Sequence, residues 1–109
     1  MRDRLAKLEI TRSGAMTLVT LTGEIDLSNG EWLQSEIQES AVGSNHLIVD
    51  LSGIDFMDSQ GVRLLHDLAK SLSLTEVLFE VIAPSDGVAA HVLRLTRMDE
   101  RFTIHESAP

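Results

Sequence analysis

The stretch His46-Leu47-Ile48-Val49-Asp50-Leu51-Ser52-Gly53-Ile54-Asp55-Phe56-Met57-Asp58-Ser59-Gln60-Gly61 begins as a nearly unbroken apolar run and ends in small and polar residues. A run of that kind, from His46 to Leu51 and bounded by turn residues, has the pattern of a central strand covered on both faces. Beyond it, Val62, Leu65, Ala69 and Leu72 mark one face of an amphipathic helix. The segment therefore reads as strand, loop and helix, with Asp58 to Gly61 at the hinge.

Working toward the N-terminus, Ser28-Asn29 supplies cap-type side chains ahead of a helix over Glu31 to Val42, on which Leu33, Ile37 and Ala41 recur at i, i+4, i+8. Earlier still, Ala6, Leu8 and Ile10 alternate with polar residues from Leu5 to Thr11. After Ser13-Gly14 a second alternation runs from Thr17 to Thr22. These two make a short antiparallel hairpin. Toward the C-terminus, Thr75 to Ala83 is rich in Val, Ile and Phe and stops at Pro84, which cannot continue a ladder. A third helix fits Val88 to Leu95, and Arg101 to His105 makes a short last strand. The order is β-β-α-β-α-β-α-β. It predicts an α/β fold with helices packed on a mixed sheet, mostly parallel with right-handed crossovers and antiparallel only at the opening hairpin.

With 109 residues, of which 43% are hydrophobic, the chain can bury one core, and residues 1–109 read as a single domain. No apolar stretch is long enough to span a bilayer, and the start, Met1-Arg2-Asp3-Arg4-Leu5-Ala6-Lys7, holds no apolar run that could serve as a signal peptide. A cytoplasmic location is expected. Absence of cysteine excludes disulfides and thiolate metal sites. A formal net charge of −8 argues against direct contact with nucleic acid or anionic membrane and in favour of protein partners. Arg94, Arg97 and Arg101 form a local basic group that reads as a solvated helix face.

Ser59 stands where a loop enters a helix. Its hydroxyl could accept a bond from the free amides of the first turn, which would make it a structural N-cap, while Gly61 would let another chain approach closely. Catalysis finds no support. His66 lies seven positions beyond Ser59, about 10 Å along a helix, too far for a nucleophile and base. His46, His91 and His105 are scattered, and no Gly-x-Ser-x-Gly elbow is present. No metal-ligand spacing occurs, Ser59-Gln60-Gly61 lacks the lysine and length of a phosphate loop, and no cofactor is expected. Val49-Asp50-Leu51 places an aspartate where receiver domains carry their phosphoacceptor, but the opening hairpin and the closing Arg101-Phe102-Thr103-Ile104 do not fit that class. Asp50 then reads as a strand-end residue.

Leu47 to Val62 closely resembles the signature of the bacterial anti-sigma factor antagonists of the STAS type: an apolar strand, a short loop, then Asp-Ser-(Ser or Thr)-Gly. Leu21-Thr22-Gly23-Glu24-Ile25-Asp26 resembles the family's Leu-x-Gly-Glu-Leu-Asp. Val92 to Asp99, with Phe102 and Ile104, resembles its last helix and strand. The resemblance implies that Ser59 is a phosphoacceptor and that the unmodified protein binds an anti-sigma factor that is also a serine kinase, which frees a sigma factor. A metal-dependent serine phosphatase would reverse the modification, and the domain itself would be substrate and not enzyme. It also implies a partner surface that takes in Asp58, Gln60 and Gly61. Glu24 and Asp26 match acidic positions near that surface, or are solvated turn residues. Gln60 departs from the family pattern, in which a second hydroxyl residue follows the acceptor, and it leaves Ser59 as the sole hydroxyl there. The same fold also serves as a scaffold or a transporter-associated subunit without phosphorylation. Trp32, at the start of the first helix, is either core or, if exposed beside Ser59, a binding anchor.

Overall fold

The structure is a computed structural model that describes residues 6–108; Leu5, where the first alternation begins, and Pro109 lie outside the described residues. The chain runs β1 (Ala6–Ser13), β2 (Met16–Ile25), α1 (Gly30–Ser40), β3 (His46–Met57), α2 (Ser59–Ser73), β4 (Leu78–Ile82), α3 (Val88–Leu95) and β5 (Thr103–His105), the order expected. One five-stranded sheet holds the strands in chain order, β1-β2-β3-β4-β5. β1 is antiparallel to β2, and the other three pairs are parallel. Gly14 has φ +61°, which the first position of a tight two-residue hairpin loop requires and which a side chain would resist.

All three helices share one face of the sheet. Their buried side chains, Leu33 and Ile37 from α1, Leu64, Leu65 and Leu68 from α2, and Ala89, Ala90 and Leu93 from α3, form a single cluster with Val19, Leu21, Leu47, Val49, Leu51 and Val81. The alternation along each strand selects that face. β3 is the central strand and its apolar run is buried on both faces, as expected, although the helices lie on only one of them. Ile48 and Ile82, each 3% exposed, point to the opposite face. Their cross-strand neighbours there are Leu18 and Glu80, and Asp50 and His105.

Other readings change. Ser52-Gly53 does not end β3, which continues to Met57. The register against β2 slips between Thr20 and Thr22 and again between Gly23 and Glu24, so β3 carries two extra residues as bulges. At Gly53 a Cβ would come 2.7 Å from Thr22 Cγ2, the close approach that glycine allows. Asp50 braces this bulge by accepting from the Ser52 amide at 2.9 Å and its hydroxyl at 2.7 Å. On α2 the buried stripe is Gly61, Leu64, Leu65, Leu68 and Leu72, while Val62 and Ala69 lie half-buried on its flanks. Of the three arginines read as one helix face, only Arg94 is helical, although all are exposed.

On the helix-free face, Glu80 joins three strands. Its carboxylate accepts from His46 Nε2 of β3 at 2.5 Å and from His105 Nε2 of β5 at 3.0 Å. The bond to His105, then that to His46, holds the Glu80 carboxyl below its ordinary value. A carboxyl with a depressed folded-state pKa adds stability above its unfolded pKa and loses it as pH falls through the folded one. Glu80→Gln should therefore lower stability by about 1 kcal/mol at pH 7. The difference between variant and wild type should begin to shrink as pH falls below the ordinary glutamate value of about 4.3 and vanish only below the depressed folded-state value, as urea melts at several pH values would register.

Candidate functional site

Because β2 and β3 are parallel neighbours, their C-terminal ends lie side by side, with Ile25 opposite Met57. The loops leaving them are thereby brought together, and Asp58 N donates to Ile25 O at 3.3 Å. At this pole the structure gathers Glu24, Asp26, Asp58, Ser59 and Gln60, five of the six residues singled out from the sequence, on the accessible surface. The sixth, Gly61, is buried.

The local geometry assigns the capping role differently from the expectation. Asp58, extended at φ −103° and ψ −166°, is the N-cap of α2, and its Oδ1 accepts from Gln60 N at 2.8 Å. An aspartate before the first turn satisfies an otherwise orphaned amide and adds negative charge at the positive end of the helix dipole. Ser59 is consequently the first helical residue. It is exposed, and its hydroxyl bonds none of the described residues. Asp58→Ala should lower stability by about 1 kcal/mol while leaving the Ser59 hydroxyl in place, which thermal melts of the variant would show.

Gly61 also has a role within the domain. A Cβ there would meet Met57 Cγ at 2.2 Å and Sδ at 2.6 Å, so a close approach that needs glycine is made by Met57 inside the domain. Asn29 differs too. It makes no side-chain cap to α1. Buried at 3% exposure, it accepts from Asp26 N at 3.0 Å and donates to Glu24 O at 2.8 Å, cinching the loop that presents both acids. Asp26 in turn accepts from Ser28 N at 2.8 Å and Ser28 Oγ at 2.5 Å.

Between the starts of α1 and α2 runs an open groove of about 400 Å³, lined by residues that include Ser28, Gly30, Glu31, Gln60, Arg63 and Asp67. Leu27 and Phe56, both exposed, lie in the same loop pair and at the end of β3. Sequence reasoning took Asn29 only as a helix cap and did not single out Arg63, Leu27 or Phe56. The spacing of Arg63, four residues after Ser59, was the signal available for one of them. Trp32 is half-buried and packs against the core, as the first of its two readings has it. Among the described residues no group of His, Asp or Glu is arranged to hold a metal ion, and no helix is long and apolar enough to cross a membrane.

A family model described as STAS domain matches residues 7–108. Osmosensory protein A of Mycobacterium tuberculosis is 30% identical over 67 residues, 62% of this chain, and the chain spans 42% of that relative. Among solved structures, an anti-sigma factor antagonist from Mycobacterium paratuberculosis superposes with a TM-score of 0.82 at 24% identity, covering 94% of this chain and 86% of the other. SpoIIAA, described as an anti-sigma factor antagonist, superposes in its unphosphorylated form with a TM-score of 0.74 at 19% identity, over 91% of this chain and 88% of that one. The phosphorylated form of SpoIIAA, a Bacillus cell fate determinant, gives 0.68 at 18% identity, over 91% of each chain.

Proposed function

The chain belongs to the STAS domain family, and from that footing we propose that it is an anti-sigma factor antagonist controlled by phosphorylation of Ser59. In this reading residues 1–109 form one domain that acts in the cytoplasm. Unmodified, it binds an anti-sigma factor that is also a serine kinase and so releases a sigma factor. Phosphorylation of Ser59 ends that binding, and a serine phosphatase restores it. The observation that carries the reading is the position of Ser59: exposed at the first residue of α2, its hydroxyl uncommitted because Asp58 caps the helix in its place.

The proposed partner surface comprises Glu24, Asp26, Asp58 and Gln60, with Gly61 contributing from within by seating Met57. The chemistry asked of the domain is modest. A hydroxyl must reach a kinase active site, and the helix must tolerate the product. The N-terminus of a helix of 15 residues favours an anion through its free amides and dipole, so the fold should persist after modification.

The test is intact mass after incubation with the anti-sigma factor kinase and ATP, for wild type and Ser59→Ala, followed by affinity for that kinase before and after. One phosphate that disappears in Ser59→Ala, with weaker binding once it is present, supports the switch. Tight binding without modification, or a phosphate elsewhere, would refute it in favour of a scaffold role.

A further inference from the structure

A phosphate on Ser59 would enter acidic surroundings. Asp55 and Asp58 precede it, Glu24 and Asp26 stand at the adjoining end of β2, Glu31 faces the groove from α1, and Asp67 lies further along α2. Among the residues lining that groove, Arg63 is the one cation. Ser59, Arg63 and Asp67 occupy positions i, i+4 and i+8, so they follow one stripe of the helix surface. At present Arg63 Nε stands 3.7 Å from Asp67 Oδ2, with 73% of its side chain exposed. A pair so long and so wet holds the guanidinium weakly.

We infer that Arg63 is a built-in clamp for the modified state: when Ser59 is phosphorylated, the guanidinium leaves Asp67 and pairs with the phosphoserine across one helical turn. The inference rests on Ser59 being the modified residue. Three physical terms favour the exchange. A phosphoserine carries about −1.5 to −2 charge against the single charge of Asp67. Its oxygens match the planar fork of a guanidinium in bidentate fashion, which a lysine could not reproduce. An acid placed four residues before a base is also the better orientation on a helix, because the anion sits toward the positive end. Asp67 is not left isolated, since His66 Nδ1 lies 3.3 Å from its Oδ1.

The clamp makes Arg63 a positioning residue. It would draw the phosphate down along α2, over the groove beside Gln60, and hold it in one geometry where an unclamped phosphate would sample many. The modified surface thus differs from the unmodified one in shape as well as in charge.

The test uses the full chain with phosphoserine installed at position 59 by genetic encoding, which makes it independent of any kinase. The ³¹P resonance is followed against pH. Pairing with a cation favours the dianion, so the phosphate of the wild-type chain should titrate about half a pH unit below that of Arg63→Gln, roughly a threefold change in the protonation constant. Arg63→Lys should recover part of the difference, and 0.5 M salt should shrink it. The Arg63 Nε–H resonance should also move on phosphorylation in the wild type. Equal titration midpoints in wild type and Arg63→Gln, together with an unmoved Nε–H resonance, would overturn the clamp. Failure of the kinase assay described above would instead remove its biological occasion while leaving this measurement interpretable.

Discussion

Ser59→Glu should weaken binding to the anti-sigma factor kinase by about 100-fold, equivalent to about 2.7 kcal/mol, while the domain stays folded. The two halves of that expectation have separate origins. At the first residue of α2 a carboxylate meets free amides and the positive end of the helix, so stability should hold or rise by a few tenths of a kcal/mol. At the proposed interface the same carboxylate adds charge beside Asp55 and Asp58 and would have to be desolvated without a partner, a penalty that exceeds the modest gain within the domain. Ser59→Ala should bind as tightly as the wild type, because the hydroxyl makes no bond within the described structure whose loss could matter. Calorimetric titration of the kinase with the three proteins, alongside their thermal melts, separates these outcomes. Equal affinities for Ser59→Glu and wild type would sink the switch.

Gly61→Ala should destabilise the domain by about 2 kcal/mol. The sign is the informative part. Within a helix, alanine is ordinarily better than glycine by about 1 kcal/mol, and Gly61 has no positive φ that would forbid a side chain. The substitution should nonetheless be unfavourable, since the new methyl would fall 2.2 Å from Met57 Cγ in the space between the end of β3 and the first turn of α2. Met57 is itself 4% exposed and belongs to the core cluster, so moving it into solvent would give up buried apolar contact. Met57→Ala alone should cost about 2 to 3 kcal/mol. Combined with Gly61→Ala it should cost less than the sum of the two, because truncating Met57 makes the room that the methyl needs. Chemical denaturation of the four proteins of this cycle would check both the sign and the coupling. Additive losses would mean that the two residues do not share the space.

The elements that could be read from the sequence are those whose pattern reports local physics. Pro84 ends β4 and Gly14 turns the hairpin because of backbone constraints that no tertiary context relaxes. Leu33, Ile37 and Ala41 identify the buried side of α1 by spacing alone. The misread places are those where tertiary packing chose among local possibilities. Ser52-Gly53 carries a turn signature, yet pairing with β2 holds it in the strand as a bulge. Val62 and Ala69 fit a helical stripe, but the leucines at 64, 65, 68 and 72 outweigh them, and α2 is rotated accordingly. A hydrophobic run such as Leu47 to Val49 looks the same whether helices lie on one face of a sheet or on both. At the site, the sequence pointed to the loop between β3 and α2, where Ser59 lies exposed. It could not distribute roles within Asp58-Ser59, since aspartate and serine are both good caps and only the geometry decides which of them accepts from Gln60 N.

The identity of strand order and chain order bears on how the domain is made. Each strand after the first is laid against the one before it, so every element emerging from a ribosome finds its docking edge already present and no segment must be inserted between partners that have paired. Contacts that are near in sequence close small loops, which favours rapid folding for a parallel sheet. The hinge that presents Ser59 sits in the middle of that series, between β3 and the helix that must wait for β4 and α3 to cover its flank. A nascent chain would thus leave the flank of α2 uncovered until the last third has been synthesised, and under the proposed switch only the finished domain would present Ser59 on a fully packed helix.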